Sequence, residues 1–367
     1  MPALPTIARR YRGAIGAIIL DWAGTAVDYG SFAPIAVFLH LFAGHGVVIT
    51  PEDARAGMGL MKKDHLRTIL ARPTVRSAWQ SVHGAPPSEP DIDGLFEQFI
   101  PLQTSVLKEY AEPIPGMIEA TVELRKRGIK IGSTTGYLRA MMATLAPIAA
   151  AHGYHPDCIV CPDDVPAGRP APWMCFMNAM RLGVYPMAAL IKVGDTPVDI
   201  EEGLNVGMWT IGVTLTGNLL GKTRSDVEAL SPQQRASIRA QIGEQLLAAG
   251  AHLVIEGVWD LPCAVQQIEE RMLHGETPGA DDRFACLLRD MLRLEALPLS
   301  QPIELFSTPR TPAALSSEEI SDVTRVLESR YNLWRFATDT CSATLDALCA
   351  SAGLTDTVLV KSYECCN

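Results

Sequence analysis

AIILDWAGTAVDYGSFAP, residues 17–34, decides how the rest of the chain is read. Ala17 to Leu20 have the length and composition of a buried strand, and the run ends on a carboxylate, Asp21. Gly24 and Thr25 follow, then Asp28 and Tyr29. A carboxylate at the tip of a core strand is costly to bury unless it has a partner or a task. It could cap a turn or a helix, or it could be a metal ligand or a covalent nucleophile. Two positions on stands Ala23, which has no functional group to lend.

Outward from this stretch, short β-rich runs recur at 15–20, 129–133, 158–160, 190–194, 209–213 and 252–255. Helical periodicity separates them, as at 117–127 and 138–152. Strands alternating with helices predict an α/β fold with a doubly wound, Rossmann-like parallel sheet. Such sheets bind ligands beyond the carboxyl ends of their strands. Asp21, the turn Ser133-Thr134-Thr135 and Asp195 all fall at those ends.

More than a hundred residues separate the first strand from the second, too many for one crossover, so a second domain is expected between them. Its segments 32–43, 51–70 and 92–110 have helical spacing, for example Leu95, Phe96, Phe99 and Ile100. EPIPGM, residues 112–117, reads as the return linker. The expected organisation is a core of residues 14–30 and 116–270, a helical cap of residues 31–115, and a C-terminal helical extension, 271–367. The extension opens on HGETPGADD, has Pro-rich loops at 298–302 and 309–312, and carries a capping box at Ser316 and Glu319.

The 367 residues suffice for about two or three domains with a large core. A net charge of -10 argues against nucleic acid, whose phosphates demand a basic face. It leaves room for small anionic substrates, since a few local cations can reverse the field in one pocket. The basic N-terminus runs straight into the first apolar stretch without a small-residue cleavage site, so this stretch reads as a core strand and not as a signal peptide. No stretch is long and apolar enough to span a membrane, and a cytoplasmic location is expected. The 9 cysteines are scattered. Cys158 and Cys161 have metal-ligand spacing but no second pair or His cluster nearby, which favours reduced core thiols. The terminal Glu-Cys-Cys-Asn lacks a prenylation pattern.

The strand ends together supply a full set of groups. Asp21 offers a nucleophile or a metal ligand, GSTTG (132–136) offers hydroxyls and close backbone approach, Arg169 offers a cation, and Asp195 and Asp199 offer carboxylates for a metal. That is the inventory of phosphoryl transfer, and its oxygen-only ligands suit Mg²⁺.

In order, these four motifs resemble the haloacid dehalogenase superfamily. DWAGTAVDYGSFAP, MGLMKKDH, GIKIGSTTGY, PDDVPAGRPAPWM and IKVGDTPVDIEEGLNVGMWTIGV resemble, more narrowly, its phosphonoacetaldehyde hydrolase family, over residues 14–270. Phosphatases of the superfamily usually carry a second Asp two residues after the nucleophile, to protonate an alcohol leaving group. Here that position is Ala23. Cleaving a P–C bond expels a carbanion, which needs an electron sink rather than an acid. An amine condensed with a neighbouring aldehyde is one.

The resemblance puts that amine at Lys62, in GMGLMKKDHLR. Met58, Lys62 and His65 are spaced to share one helical face, with Lys63 about a quarter turn away. Such a lysine must be neutral to attack, so burial or a nearby cation should lower its pKa. His65 can be read as a proton shuttle or as a structural residue. The resemblance further implies that Arg169, Thr135 and Gly136 hold the phosphonate and that Mg²⁺ is bound by Asp21, the Ala23 carbonyl and Asp195, with Asp199 and Met58 in support. It also implies a homodimer, and Ser31 stands where the family often has Cys. Which hydroxyl of Ser133, Thr134 and Thr135 faces phosphate is open. The alternatives are a phosphatase or sugar phosphomutase of the same superfamily, or a non-catalytic binding protein.

Overall fold

The computed structural model describes residues 11–278, so the Ser316–Glu319 capping box and the other readings in the C-terminal extension beyond residue 278 lie outside the described residues. The chain begins with β1 (Ala17–Leu20) and then leaves the sheet for five helices, α1 (Ala33–Gly44), α2 (Pro51–Arg55), α3 (Lys62–Ala71), α4 (Pro73–His83) and α5 (Glu89–Val106). It returns through α6 (Met117–Lys126) and β2 (Lys130–Thr134), α7 (Arg139–Ala151), β3 (Cys158–Val160) and α8 (Trp173–Leu182). Then come β4 (Leu190–Gly194), α9 (Pro197–Asn205), β5 (Trp209–Val213), α10 (Arg224–Glu228), α11 (Pro232–Ala248), β6 (Leu253–Ile255) and α12 (Leu261–Leu273).

The six strands form one sheet in the order β3-β2-β1-β4-β5-β6, and every pairing is parallel. β1 is central, paired with β2 on one side and β4 on the other. All four of its side chains are buried, and they alternate between faces. Ile18 and Leu20 join the main apolar cluster with residues of α6, α7 and α12. Ala17 and Ile19 meet Cys175, Ala179 and Leu182 of α8. Burying each large side chain of this kind contributes about 1.5–3 kcal/mol, which is why an unbroken apolar run marks a strand covered on both faces. The strand order reverses beside β1, at its junction with β4, so the carboxyl ends of these two strands flank the crevice where doubly wound sheets take their ligands. Asp21 and Asp195 stand at those two ends.

Two expectations need correcting. Residues 51–70 are not one helix: the chain breaks between α2 and α3, where Gly57 (φ 83°) and Gly59 (φ 93°) take a left-handed backbone that a continuing helix cannot accommodate. Met58 therefore sits in this loop and shares no helical face with Lys62 and His65, which do lie one turn apart on α3. The helix expected over 92–110 starts earlier, capped by Ser88, and closes in a 3₁₀ turn at Leu107–Tyr110. Cys158 and Cys161 are free thiols. Among the described residues no helix is long and apolar enough to cross a membrane.

Candidate active site

Four loops, following β1, β2, β3 and β4, meet the α2–α3 loop of the inserted helices around a narrow cavity of about 20 Å³. All the expected site residues except His65 and Asp199 line it. A larger open groove of about 920 Å³ along α11 shares no residue with it.

Arg169 is the centre of the charge arrangement. It is almost fully buried, with Nη2 2.7 Å from Asp21 Oδ1, Nη1 2.8 Å from Asp199 Oδ1 and Nε 2.9 Å from Glu202 Oε2. Lys192, in the middle of β4, lies 2.9 Å from Asp199 Oδ1 and 3.2 Å from Glu202 Oε2, and donates to Thr134 Oγ1. Asp199 also closes the N-terminus of α9 as its capping-box partner with Thr196. Burial opposes the charge of Asp199, but Arg169 and Lys192 prevail and hold its pKa below the usual carboxylate range. Asp21 is the reverse case: burial pushes it up, Arg169 pulls it back, and the charge of Asp199 adds to the rise.

This network is missing from the sequence reading. Lys192 and Glu202 hold Arg169 and Asp199 in place while touching no cavity surface. Removing one member of a buried ionic cluster strands the others, so Lys192→Met should lower stability by about 3–5 kcal/mol in urea unfolding.

Of the three hydroxyls after β2, Ser133 accepts from Trp22 Nε1 at 3.0 Å and Thr134 joins the Arg169–Glu202 network. Thr135 alone of them lines the cavity, its Oγ1 accepting the backbone N–H of Tyr137. Gly136 packs the core against the inserted helices, since a Cβ there would stand 2.6 Å from the Leu60 carbonyl oxygen.

Asp195 has a different environment. It is 1% exposed, accepts the Asn218 backbone N–H at 2.6 Å, and has Thr25 and Ser31 hydroxyls at 3.4 Å. No ion pair reaches it among the described residues. Burial, then the charges of Asp21 and Asp199, push its pKa well above the usual range. Asp21, Asp195 and Asp199 bring carboxylate oxygens within 4.8 Å of one another. A buried carboxylate without a cation, beside a second one and all-oxygen donors, fits a hard divalent metal.

Lys62, the first residue of α3, is 3% exposed and forms no ion pair among the described residues. Its Nζ lies 5.0 Å from the Tyr137 ring centroid. Burial lowers its pKa from 10.5 to about 8, with the charges of Asp21 and Asp28 opposing and that of Arg169 assisting. Its place at a helix N-terminus disfavours the cation further. Neighbouring Lys63 instead pairs with Asp93 at the surface. His65 lies below the cavity against Phe38 (4.4 Å between centroids). Its Nε2 is 2.9 Å from the Ala54 carbonyl oxygen, so Nε2 carries the proton and Nδ1, which has no hydrogen-bond partner, is left as the acceptor. Burial, then the charge of Lys62, push its pKa well below the usual value.

Two more residues were within reach of sequence reasoning. Tyr137, directly after GSTTG, is buried under Lys62. Asp28 accepts the backbone N–H groups of Phe32 and Ala33 at 2.9 and 3.0 Å, tying the start of α1 to the core. Burial raises it to about 7, against those two hydrogen bonds and the charges of Arg55 and Lys62.

Comparison with known proteins gives the family. The profile of the haloacid dehalogenase-like hydrolases matches residues 15–207. A phosphonoacetaldehyde hydrolase of Bacillus cytotoxicus is 49% identical over 260 residues, 70% of this chain and 97% of that one. The chain belongs to the phosphonoacetaldehyde hydrolase family of haloacid dehalogenase-like hydrolases. A phosphonoacetaldehyde hydrolase-like protein of Syntrophobacter fumaroxidans is 48% identical over 268 residues, 73% of this chain and 97% of that one. Among solved structures, the phosphonoacetaldehyde hydrolase-like protein of Oleispira antarctica aligns with a TM-score of 0.73 at 40% identity, covering 75% of this chain and all of that one. The family is one of enzymes with a Rossmann-like parallel sheet, as this chain has.

Proposed function

We propose that this enzyme hydrolyses the P–C bond of phosphonoacetaldehyde to acetaldehyde and phosphate, through an imine on Lys62 and an aspartyl phosphate on Asp21. The observation that carries the reading is the buried, unpaired Lys62 amine sharing one small cavity with Asp21 and Arg169. A lysine kept for stability or solubility would be exposed or paired. This one is desolvated and its pKa is lowered, as a nucleophilic amine requires.

The Lys62 amine adds to the aldehyde carbon, and loss of water gives a protonated imine. His65 Nδ1, one turn along α3, is available to take the proton that the amine sheds. Asp21 attacks phosphorus, the P–C bond breaks, and its electron pair is drawn toward the iminium nitrogen to give an enamine. Protonation at carbon and hydrolysis of the imine release acetaldehyde. Water hydrolyses the aspartyl phosphate and frees Asp21. No step calls for an acid at position 23, consistent with Ala23. Arg169 orients Asp21 and offers a cation to the phosphonate, with Thr135 and the Gly136 backbone beside it. Asp21, the Ala23 carbonyl and Asp195 would hold Mg²⁺, which supplies positive charge against the phosphonate oxygens.

Sodium borohydride added during turnover tests the reading. A reduced adduct should appear on Lys62 by peptide mass spectrometry; an unmodified Lys62 under turnover would refute it. The pH profile is a second check. With a pKa of about 8, roughly a tenth of Lys62 is neutral at pH 7, against about three in ten thousand for an ordinary lysine. Imine formation should therefore rise about tenfold per pH unit below 8 and level off above it.

A further inference from the structure

Lys62 belongs to the helices inserted after β1, and Asp21 and Asp195 belong to the sheet, so their register depends on how one part seats on the other. The cavity between them is about 20 Å³, roughly the room of one water, so a phosphonate enters only if the seam loosens and re-forms around it. A long polar side chain that crosses this seam is Arg55, at the end of α2.

Arg55 Nη1 donates to the Gly30 carbonyl at 3.0 Å and to Asn218 Oδ1 at 2.9 Å, with the Asn218 carbonyl at 3.4 Å. Its Nη2 donates to the Gly221 carbonyl at 3.5 Å, and its guanidinium lies 5.2 Å from the Phe32 ring centroid. These acceptors are carbonyl oxygens, not carboxylates, so the planar fork is recognised by shape rather than as a point charge. The receiving loop is moulded to it: a Cβ at Gly221 would stand 2.6 Å from Arg55 Cζ. The same loop reaches the reaction centre, because the Asn218 backbone N–H donates to Asp195 Oδ2 and Thr216 Oγ1 donates to the Gly24 carbonyl.

We propose that Arg55 is a positioning residue that sets Lys62 in register with Asp21 and Asp195, by locking α2 onto the 216–221 loop when the seam closes. It touches neither substrate nor reacting atoms. The proposal rests on the Lys62 imine reading.

The test compares Arg55→Lys, Arg55→Ala, Asn218→Ala and the double variant Arg55→Ala with Asn218→Ala, all in the full chain with Mg²⁺. Turnover of phosphonoacetaldehyde, the rate of borohydride-trapped Lys62 adduct and the melting temperature are followed together. Misplacement of reacting groups by about 1 Å costs about 100-fold, so both Arg55 variants should lose roughly 10–100-fold in kcat, with KM changed less. Trapping should slow in parallel while the melting transition is kept. Asn218→Ala should lose less, and adding it to Arg55→Ala should cost little more, because both act on one contact. Full turnover in Arg55→Lys would overturn the proposal, as would trapping at the wild-type rate in the Arg55 variants. If Arg55→Ala does not fold, Arg55→Lys and Asn218→Ala carry the comparison. Wild type without any adduct would sink the imine reading and this proposal with it; a normal wild-type adduct with indifferent Arg55 variants would sink the proposal alone.

Discussion

Lys62→Met should abolish release of both phosphate and acetaldehyde, by at least ~10³-fold in kcat/KM, yet leave the protein as stable as the parent or slightly more so. The first half follows from removing the amine that, in the proposed mechanism, turns the departing carbon into an enamine. A factor of 10³ is ~4 kcal/mol of barrier, modest for the loss of a covalent catalyst. The second half follows from burial. The Lys62 amine is desolvated and carries no ion pair among the described residues, so its folded state bears a cost that an apolar side chain of similar length removes. Turnover and a denaturant melt on the same preparation check both halves. Loss of activity accompanied by a large loss of stability would instead mark Lys62 as a structural residue.

The second large effect separates the two halves of the reaction. Asp21→Asn should lose phosphate release by about 10⁴-fold or more, the scale of deleting a nucleophile, while still forming the borohydride-trapped adduct on Lys62. The sign of the electrostatics supports this. Asp21 raises the pKa of Lys62, so neutralising it lowers that pKa further and leaves more free amine at pH 7. The adduct should therefore form at least as well as in wild type, and its dependence on pH should move to lower values. Mass spectrometry of the trapped peptide beside a phosphate assay reads both outcomes. An Asp21→Asn variant that releases phosphate normally would exclude the aspartyl phosphate.

The parallel sheet was legible because short, β-rich runs such as AIIL and WTIGV alternate with stretches of helical periodicity. The order Asp21, GSTTG, Arg169, Asp195 along the sequence is also the order in which β1, β2, β3 and β4 and their loops deliver groups to one end of the sheet. The helix expected over 51–70 failed because apolar spacing is indifferent to two glycines, whereas the backbone at Gly57 and Gly59 is not. That break is what lets Met58 and Lys62 both line the cavity from a loop and a helix start.

What escaped the sequence was mostly the supporting charge network. Lys192 lies inside the β-rich run 190–194, and a lysine within LIKVG has to find anions once the strand is buried. Its partners Asp199 and Glu202 lie one turn of α9 apart, and Arg169 comes from a different loop. Arg55 shows the same difficulty at longer range: its acceptors are the Asn218 side-chain oxygen and backbone carbonyls at positions 30, 218 and 221, which no local sequence pattern announces. Asp28 could have been suspected from its place before α1, but its two hydrogen bonds depend on a left-handed backbone (φ 55°) that sequence alone does not reveal.

The most direct measurement is product release from phosphonoacetaldehyde with Mg²⁺, assaying phosphate and acetaldehyde together in wild type and Lys62→Ala. The expected result is equal amounts of both products from wild type and neither from the variant. Wild type that leaves phosphonoacetaldehyde intact but hydrolyses phosphate esters, with Lys62→Ala equally active, would contradict P–C hydrolysis through Lys62.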